Sequence, residues 1–167
     1  MKPIFISFSL LFCVLVSQAN QDSVPAFRSI KWGANLDSIF ANGKKVEFVN
    51  SEDPGFQNAY IIPNDDPNIG NVRMNKIYYI FNEENRFSKV VMEGRKMDTE
   101  EIDFVVQYKF GEHQNSKSFD GGGYKQWIIR EVTITLVEHQ YHKFELTIES
   151  DWEIAEAYRK NTNVDDF

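Results

Sequence analysis

The stretch YYIFNEENRFSKV, residues 78–90, is the part of the sequence that decides the fold. It belongs to two longer runs, 74–81 and 87–93, that are rich in the aromatic and β-branched residues favoured in strands. Between the runs stands Asn82-Glu83-Glu84-Asn85, whose polar residues are typical of a turn. The sequence therefore predicts an antiparallel hairpin here.

The first strand of this hairpin has apolar side chains on both of its faces. Successive side chains of a strand point to opposite sides of the sheet. The apolar ones are Ile77, Tyr79 and Phe81 on one side, and Tyr78 and Ile80 on the other. Because both sides favour burial, we expect this strand to lie in the interior of a sheet.

Further strands are expected on either side of the hairpin. Upstream, 46–50 and 59–62 have strand composition, and a long polar loop is expected at 63–71. Downstream, a polar loop ending in the glycines of DGGGY, residues 120–124, precedes three runs that alternate between apolar and polar residues. These runs are 124–129, 132–138 and 143–149. Their alternation predicts a sheet with one solvated face.

The opening stretch FRSIKWGANLDSIF, residues 27–40, predicts a short helix. Asn35 is a suitable N-cap, and Leu36, Ile39 and Phe40 follow the helical spacing of an apolar face. Gly43 can end the helix in the left-handed conformation. Two turns are marginal in isolation, so we expect Trp32 to hold this helix by packing rather than to stack on a ligand.

Two more helices are expected later in the chain. Asp98 with Glu101 forms a capping-box pattern, followed by an apolar stripe that runs as far as Gly111. Ser150 with Glu153 forms another such pattern, which predicts a terminal helix at 151–160.

This order of elements predicts an α+β fold, an antiparallel sheet with one face covered by short helices. The helix starts at Leu36 and Thr99 suggest a loose α-β-β duplication, although residue identity between the halves is too low to define a repeat. We expect one domain at 20–160 and a frayed tail at 161–167.

Residues 1–19 have the pattern of a signal peptide. Lys2 precedes an apolar run at 4–16, and Ser17 and Ala19 are the small residues expected before a cleavage site. Cys13 follows the bulky Phe12, which does not suit a lipoprotein signal. The sequence therefore predicts a periplasmic or secreted protein with no transmembrane segment after cleavage.

Composition limits the possible partners and cofactors. The net charge is −7, with lysine and arginine scattered, so we exclude nucleic acid as the main partner. The single cysteine lies in the expected signal peptide, which leaves no thiolate or disulfide for the mature chain. We expect no cofactor, and another envelope or extracellular protein as the partner, a cationic one being electrostatically permitted.

Candidate metal ligands lie in two places. Asp65 and Asp66 belong to the acidic loop NDDPNIGN, residues 64–71, which resembles a calcium loop in composition but not in spacing. His139 and His142 flank an expected hairpin turn and lack a convergent set of partners. We interpret both groups as surface residues, with weak Ca²⁺ binding as the alternative for the loop.

No motif for catalysis is present, and DGGGY lacks the lysine and hydroxyl of a phosphate-binding loop. The sequence therefore favours a non-catalytic interaction module. The alternative is a hydrolase or an enzyme inhibitor that uses the acidic loop residues.

Aromatic side chains, which are enriched at interfaces, supply the candidate binding residues. These are Trp32, Tyr124, Trp127 and Tyr141. Trp32 and Trp127 also fit the core, and we favour packing for both. The solvated sheet face with aromatics at its rim is the candidate recognition surface.

The sequence resembles uncharacterised exported bacterial proteins. The resemblance rests on 27–40, on 78–90, and on YKFG at 108–111 followed by a tryptophan and ITL at 134–136. A more distant likeness is to the α+β modules of the outer-membrane assembly lipoprotein and β-lactamase inhibitor type. This chain departs from them, since it has no lipobox cysteine and no disulfide pair. The resemblance implies a periplasmic protein-binding role and assigns no site residue.

Overall fold

The computed structural model describes residues 26–41, 43, 45–50, 56–140 and 142–151. Within them lie two α-helices, α1 (Leu36–Ala41) and α2 (Thr99–Phe110), and α2 follows a 3-10 turn, Lys96–Asp98. The expected signal peptide at 1–19, the tail at 161–167 and all but the first residue of the helix expected at 151–160 lie outside the described residues.

Twelve strands are present in the described residues. The first six are β1 (Ala26–Phe27), β2 (Ile30–Lys31), β3 (Glu47–Phe48), β4 (Ala59–Ile61), β5 (Asn68–Ile69) and β6 (Val72–Arg73). The others are β7 (Lys76–Phe81), β8 (Phe87–Arg95), β9 (Asn115–Phe119), β10 (Gly122–Ile129), β11 (Val132–Glu138) and β12 (Lys143–Ser150). The predicted α+β class is confirmed.

Eight of these strands form one antiparallel sheet in the order β3-β4-β7-β8-β12-β11-β10-β9. Each half of the sheet is a four-stranded meander, β3-β4-β7-β8 in the first and β9 to β12 in the second. The last strands of the two meanders, β8 and β12, pair at the centre. One helix precedes each meander, so each half contributes one helix and then four strands of the large sheet, rather than the expected α-β-β.

Both helices contribute to the core on one face of the sheet, which we call the inner face. Leu36 and Ile39 of α1 and Ile102 and Val106 of α2 are buried in it. The largest fully buried side chains of the sheet there are Trp127, Tyr79, Phe87, Phe144 and Met92. This packing of apolar area is the main stabilising contribution to the fold.

The opposite face of the first meander carries a second, smaller core. Ala59, Tyr78, Ile80 and Val91 are buried in it, and Val49, Phe56 and Ile61 pack against them. Phe56 meets Tyr78 edge to face, with ring centroids 4.8 Å apart. Strand β7 is thus buried on both sides between β4 and β8, which confirms that it is an interior strand.

The first helix begins as expected. The Asn35 side chain accepts a hydrogen bond of 2.9 Å from the backbone N–H of Asp37, and Gly43 has a φ of 76°. Trp32 stacks on Phe87 with centroids 4.7 Å apart and planes within 8° of parallel. Phe40 departs from the expectation, because it is exposed although it follows the apolar spacing.

The expected capping box of the second helix is wrong. Asp98 stands at the N-cap position without a side-chain capping bond, and its carboxylate instead accepts two hydrogen bonds from Arg95, at 2.8 and 3.1 Å. The preceding 3-10 turn changes the geometry of the helix entrance, so the carboxylate faces Arg95. Gly111 follows the helix, with a φ of 83°, where the sequence placed its end.

Two segments expected as loops contain strands. The loop at 63–71 includes β5, which pairs with β6 around Gly70. The loop expected to end at Gly123 includes all of β9 and the start of β10, joined by Asp120 and Gly121. Strand β9 was missed because its sequence, NSKSF, is exposed on both sides and shows no apolar alternation.

Gly94 sets a close contact at the centre of the sheet. It pairs with Phe144 across β8 and β12, and a Cβ atom at position 94 would overlap the Phe144 ring. Gly94→Ala should therefore lower the free energy of unfolding by about 1–3 kcal/mol, the usual cost of overpacking a core. Urea denaturation measures this change.

The matched control is Lys89→Ala, since Lys89 lies on the same strand but on the opposite, half-exposed face. We expect this control to change the free energy by less than about 1 kcal/mol. Adding Phe144→Leu to Gly94→Ala should recover part of the loss. Equal stability of Gly94→Ala and the unchanged protein would contradict the contact.

Candidate functional site

The second meander leaves its outer face uncovered by the rest of the described chain. The register aligns the outward residues in rows, such as Gln126, Thr135 and Thr147 across β10, β11 and β12. Every outward residue of these strands is half-buried or exposed. We call this surface, formed by the outward residues of β9 to β12, the open face.

Apolar and aromatic side chains lie on the edge hairpin of the open face. Phe119 on β9 and Ile128 on β10 are 49% and 48% exposed and stand near opposite ends of the hairpin. Tyr124, half-buried, lies between them and pairs with Lys117. Large side chains of this kind, surrounded by polar ones, are typical anchors of protein interfaces.

Charged residues occupy the centre of the sheet on the same side. Lys89 pairs with Glu149 at 3.1 Å, and Lys143 with Glu93 at 3.1 Å. Each pair joins β8 to β12, and its two opposite charges neutralise each other. Lys117 differs, since no other described residue forms an ion pair with it.

A cleft of about 510 Å³ lies on the inner face, between the start of α2 and strands β9 to β11. Ser116, Ser118 and Glu100 line it, together with two ion pairs. Lys125 pairs with Asp103 at 2.7 Å, and Lys96 pairs with Glu138 at 3.0 Å. Its walls carry both signs of charge and hydroxyl groups beside the apolar side chains of Met97 and Leu136, so the cleft can receive a side chain with both polar and apolar parts.

The four predicted binding aromatics do not form one site. Tyr124 lies on the open face, whereas half-buried Trp32 packs on Phe87 beside α1. Trp127 lies in the core, the placement that the sequence favoured: it is 0% exposed, and its indole N–H donates to the Gly111 carbonyl at 2.9 Å, so it is not available for binding at the surface. Tyr141 is outside the described residues.

The acidic loop, residues 64–71, is held in place by hydrogen bonds to other residues of the protein. Asp65 accepts hydrogen bonds from the Arg28 guanidinium, at 2.6 Å, and from the Tyr79 hydroxyl. Asp66 accepts from the backbone N–H of Asn68 at 2.9 Å and from its side chain at 2.8 Å. The backbone bond from Asn68 is the main cause that lowers the pKa of Asp66. These contacts fasten the loop to the turn between β1 and β2.

The two predicted histidines are at a hairpin turn, as expected. The backbone N–H of His139 donates to the Lys143 carbonyl at 3.1 Å, and His142 has a φ of 56°. Within the described ranges, no three His, Cys, Asp or Glu side chains come together as metal ligands.

The sequence missed Phe119, Ile128 and Lys117 as surface residues of the site. The alternation of β10 placed Ile128 on the face opposite to Trp127, which was favoured for the core, but could not show whether the face of Ile128 was covered as well. Lys117 and Phe119 belong to the strand that was expected as a loop. Whether a face of the sheet is covered depends on contacts between residues that are distant in sequence, so no local pattern reveals it.

No family model matches the sequence, and no curated protein matches it. A crystal structure of a DUF4309 family protein from Bacillus subtilis aligns with a TM-score of 0.45 and 9% identity, over 78% of this chain and 85% of that one. None of the helices in the described ranges is long and apolar enough to cross a membrane.

The buried hydroxyl of Tyr79 gives the fold a dependence on alkaline pH. Burial, and then the bond to Asp65, raises its pKa above its ordinary value. The unfolded chain, with a tyrosine pKa of about 10, therefore releases this proton first. The contribution of Tyr79 to stability is complete below pH 10 and should fall by up to about 1.4 kcal/mol per pH unit above it.

Urea denaturation over a pH series from neutral to alkaline measures this slope. Tyr79→Phe should reduce it, because phenylalanine has no proton to release. Tyr108→Phe is the matched control, since Tyr108 is 86% exposed and its replacement should leave the slope unchanged. Identical slopes for Tyr79→Phe and the unchanged protein would contradict the role of the buried hydroxyl.

Proposed function

We propose that the protein is an exported, non-catalytic interaction module that binds another envelope or extracellular protein through the open face. The observation that carries this proposal is the difference between the two halves of the sheet. The outer face of the first meander is closed by Val49 and Phe56. The outer face of the second meander has no such cover among the described residues and presents Phe119 and Ile128 to solvent.

Export is supported by the sequence. The basic end, apolar run and small residues of 1–19 fit a secretory signal. The absence of cysteine after residue 13 means that the mature chain tolerates an oxidising compartment without forming disulfides.

A binding role is supported by the state of the carboxylates. Asp65 is held by Arg28 and Tyr79, Asp103 by Lys125, and Glu138 by Lys96. A general acid or base must be free to exchange a proton with substrate. Because Asp65, an acidic-loop residue that the alternative hydrolase would use, is already engaged within the protein, the geometry favours a binding module over that alternative.

The size of the open face indicates how a partner must bind. Four strands about 4.8 Å apart, with about seven residues each, cover on the order of 450 Å² in projection. A stable protein interface buries about 800 Å² on each partner. Contacts must therefore extend past the open face onto its rim.

The test uses the double variant Phe119→Ser/Ile128→Glu. Replacing these exposed side chains leaves the core unchanged but removes the apolar anchors from the open face. Chemical crosslinking in an envelope and culture extract, followed by affinity measurement with the captured protein, should show at least a tenfold weaker complex for the variant, about 1.4 kcal/mol.

The matched control is Phe104→Ser/Tyr108→Ser on α2. These two residues are also exposed, and their rings stack on each other, but they lie on the helix, away from the sheet's outer face. Their replacement should leave binding unchanged. Loss of binding in this control, with the open-face variant unaffected, would place the interface on α2 and contradict the proposal.

A further inference from the structure

Strand β9 is an edge of the eight-stranded sheet. It pairs with β10 on one side, and no strand in the described ranges pairs with its other side. All five of its residues are exposed. The opposite edge, β3, is only two residues long, which is one of the ways in which proteins protect an edge. Strand β9 is therefore the longer edge on which another strand could form.

The backbone of β9 has hydrogen-bonding capacity toward solvent. In an antiparallel ladder, alternate residues of an edge strand direct their N–H and C=O groups outward. Strand β10 extends past the end of β9. There the Gln114 side chain accepts a hydrogen bond of 2.8 Å from the Ile128 N–H and so takes the place of a neighbouring strand. For β9 itself, the described residues include no side chain that bonds its outward backbone in this way.

The hairpin that presents this edge is held in place. The side chains of Asn115 and Gln126 are hydrogen-bonded at 3.0 Å across β9 and β10. A Cβ atom at Gly122 would overlap the Glu138 carbonyl, so this position keeps β10 close to β11. An edge that is already ordered loses less conformational entropy when a strand is added to it.

The two sides of β9 differ in charge. Lys117 and Phe119 point to the open face, where Lys117 has no ion-pair partner among the described residues. Ser116 and Ser118 point to the cleft beneath, whose wall carries Glu100. Glu100 also forms no ion pair with another described residue. An added strand would place alternate side chains in these two environments.

We propose that an extended segment of the partner protein adds to the sheet at β9, with an acidic side chain beside Lys117 and a basic or hydroxyl side chain over the cleft toward Glu100. This inference rests on the proposed function and names its mode of binding. It also supplies the contacts beyond the open face that a stable interface needs. Main-chain hydrogen bonds would provide affinity, and the alternating side chains would provide specificity.

The experiment begins with a phage-displayed library of random ten-residue peptides, selected on the protein from residue 20 onward. We expect the selected peptides to alternate acidic residues with basic or hydroxyl residues. Two N-methylated forms of the best peptide, each blocked at one of the two alternate sets of amides, then separate the modes of binding. Only the set that faces β9 should abolish binding, whereas the other set should change affinity less than threefold.

A charge reversal at Lys117 tests whether the acidic side chain of the bound peptide lies on the open-face side of β9. Lys117→Glu should weaken the best peptide at least tenfold, and replacing the acidic residue of the peptide with lysine should restore most of the loss. Lys109→Glu is the control of equal charge change, since Lys109 is exposed near the end of α2 and should have no effect.

Several results would overturn the inference. The first is a library that yields no binder. The second is a peptide whose two N-methylated forms bind equally weakly, and the third is a peptide whose affinity does not change with Lys117→Glu. A captured partner that depends on Phe119 and Ile128, yet does not slow amide hydrogen exchange at 115–119, would also contradict strand addition. That last result would leave the proposed function standing, because the open face would still carry the interface.

Discussion

The pairing of β8 with β12 is the interaction on which the rest of the structure depends. These strands are the last of their meanders, and they align seven residue pairs from Lys143 with Arg95 to Glu149 with Lys89. Without this ladder the chain would be two separate four-stranded sheets. The ladder is long-range, so its entropy cost is offset only when apolar side chains are buried along it. Gly94 beneath the Phe144 ring shows how closely the two halves approach.

The central ladder also determines where the two faces differ. On the inner face, both halves share one core, to which α1 and α2 contribute. On the outer face, the first meander has a cover from Val49 and Phe56, whereas the second has none in the described part of the chain. The asymmetry arises because Val49 and Phe56, which lie outside the strands, pack on the outer face of the first meander. The open face includes one side of the edge strand β9, because both belong to the second meander.

Much of the fold could be read from local sequence. The hairpin of β7 and β8, the alternation in β10 to β12, and the helix between Asp98 and Gly111 all have strong local patterns. The failures have identifiable physical causes. Strand β9 is solvated on both sides, so no apolar period marks it. Asp98 follows a helix signature, but the 3-10 turn before it directs its carboxylate to Arg95.

The candidate site, like the fold, could be predicted from the sequence only in part. The sequence by itself determined the α+β class, the two-sided burial of β7 and the presence of a solvated sheet face, because each depends on the spacing of apolar residues. Tertiary structure decided that Ile128 is left exposed beside Trp127, which the sequence already favoured as a core residue, since only packing shows whether the opposite face is covered. It also decided that Asp65 is fastened to Arg28 and Tyr79, residues 37 and 14 positions away. Contacts over such separations depend on the whole chain path, which no local pattern encodes.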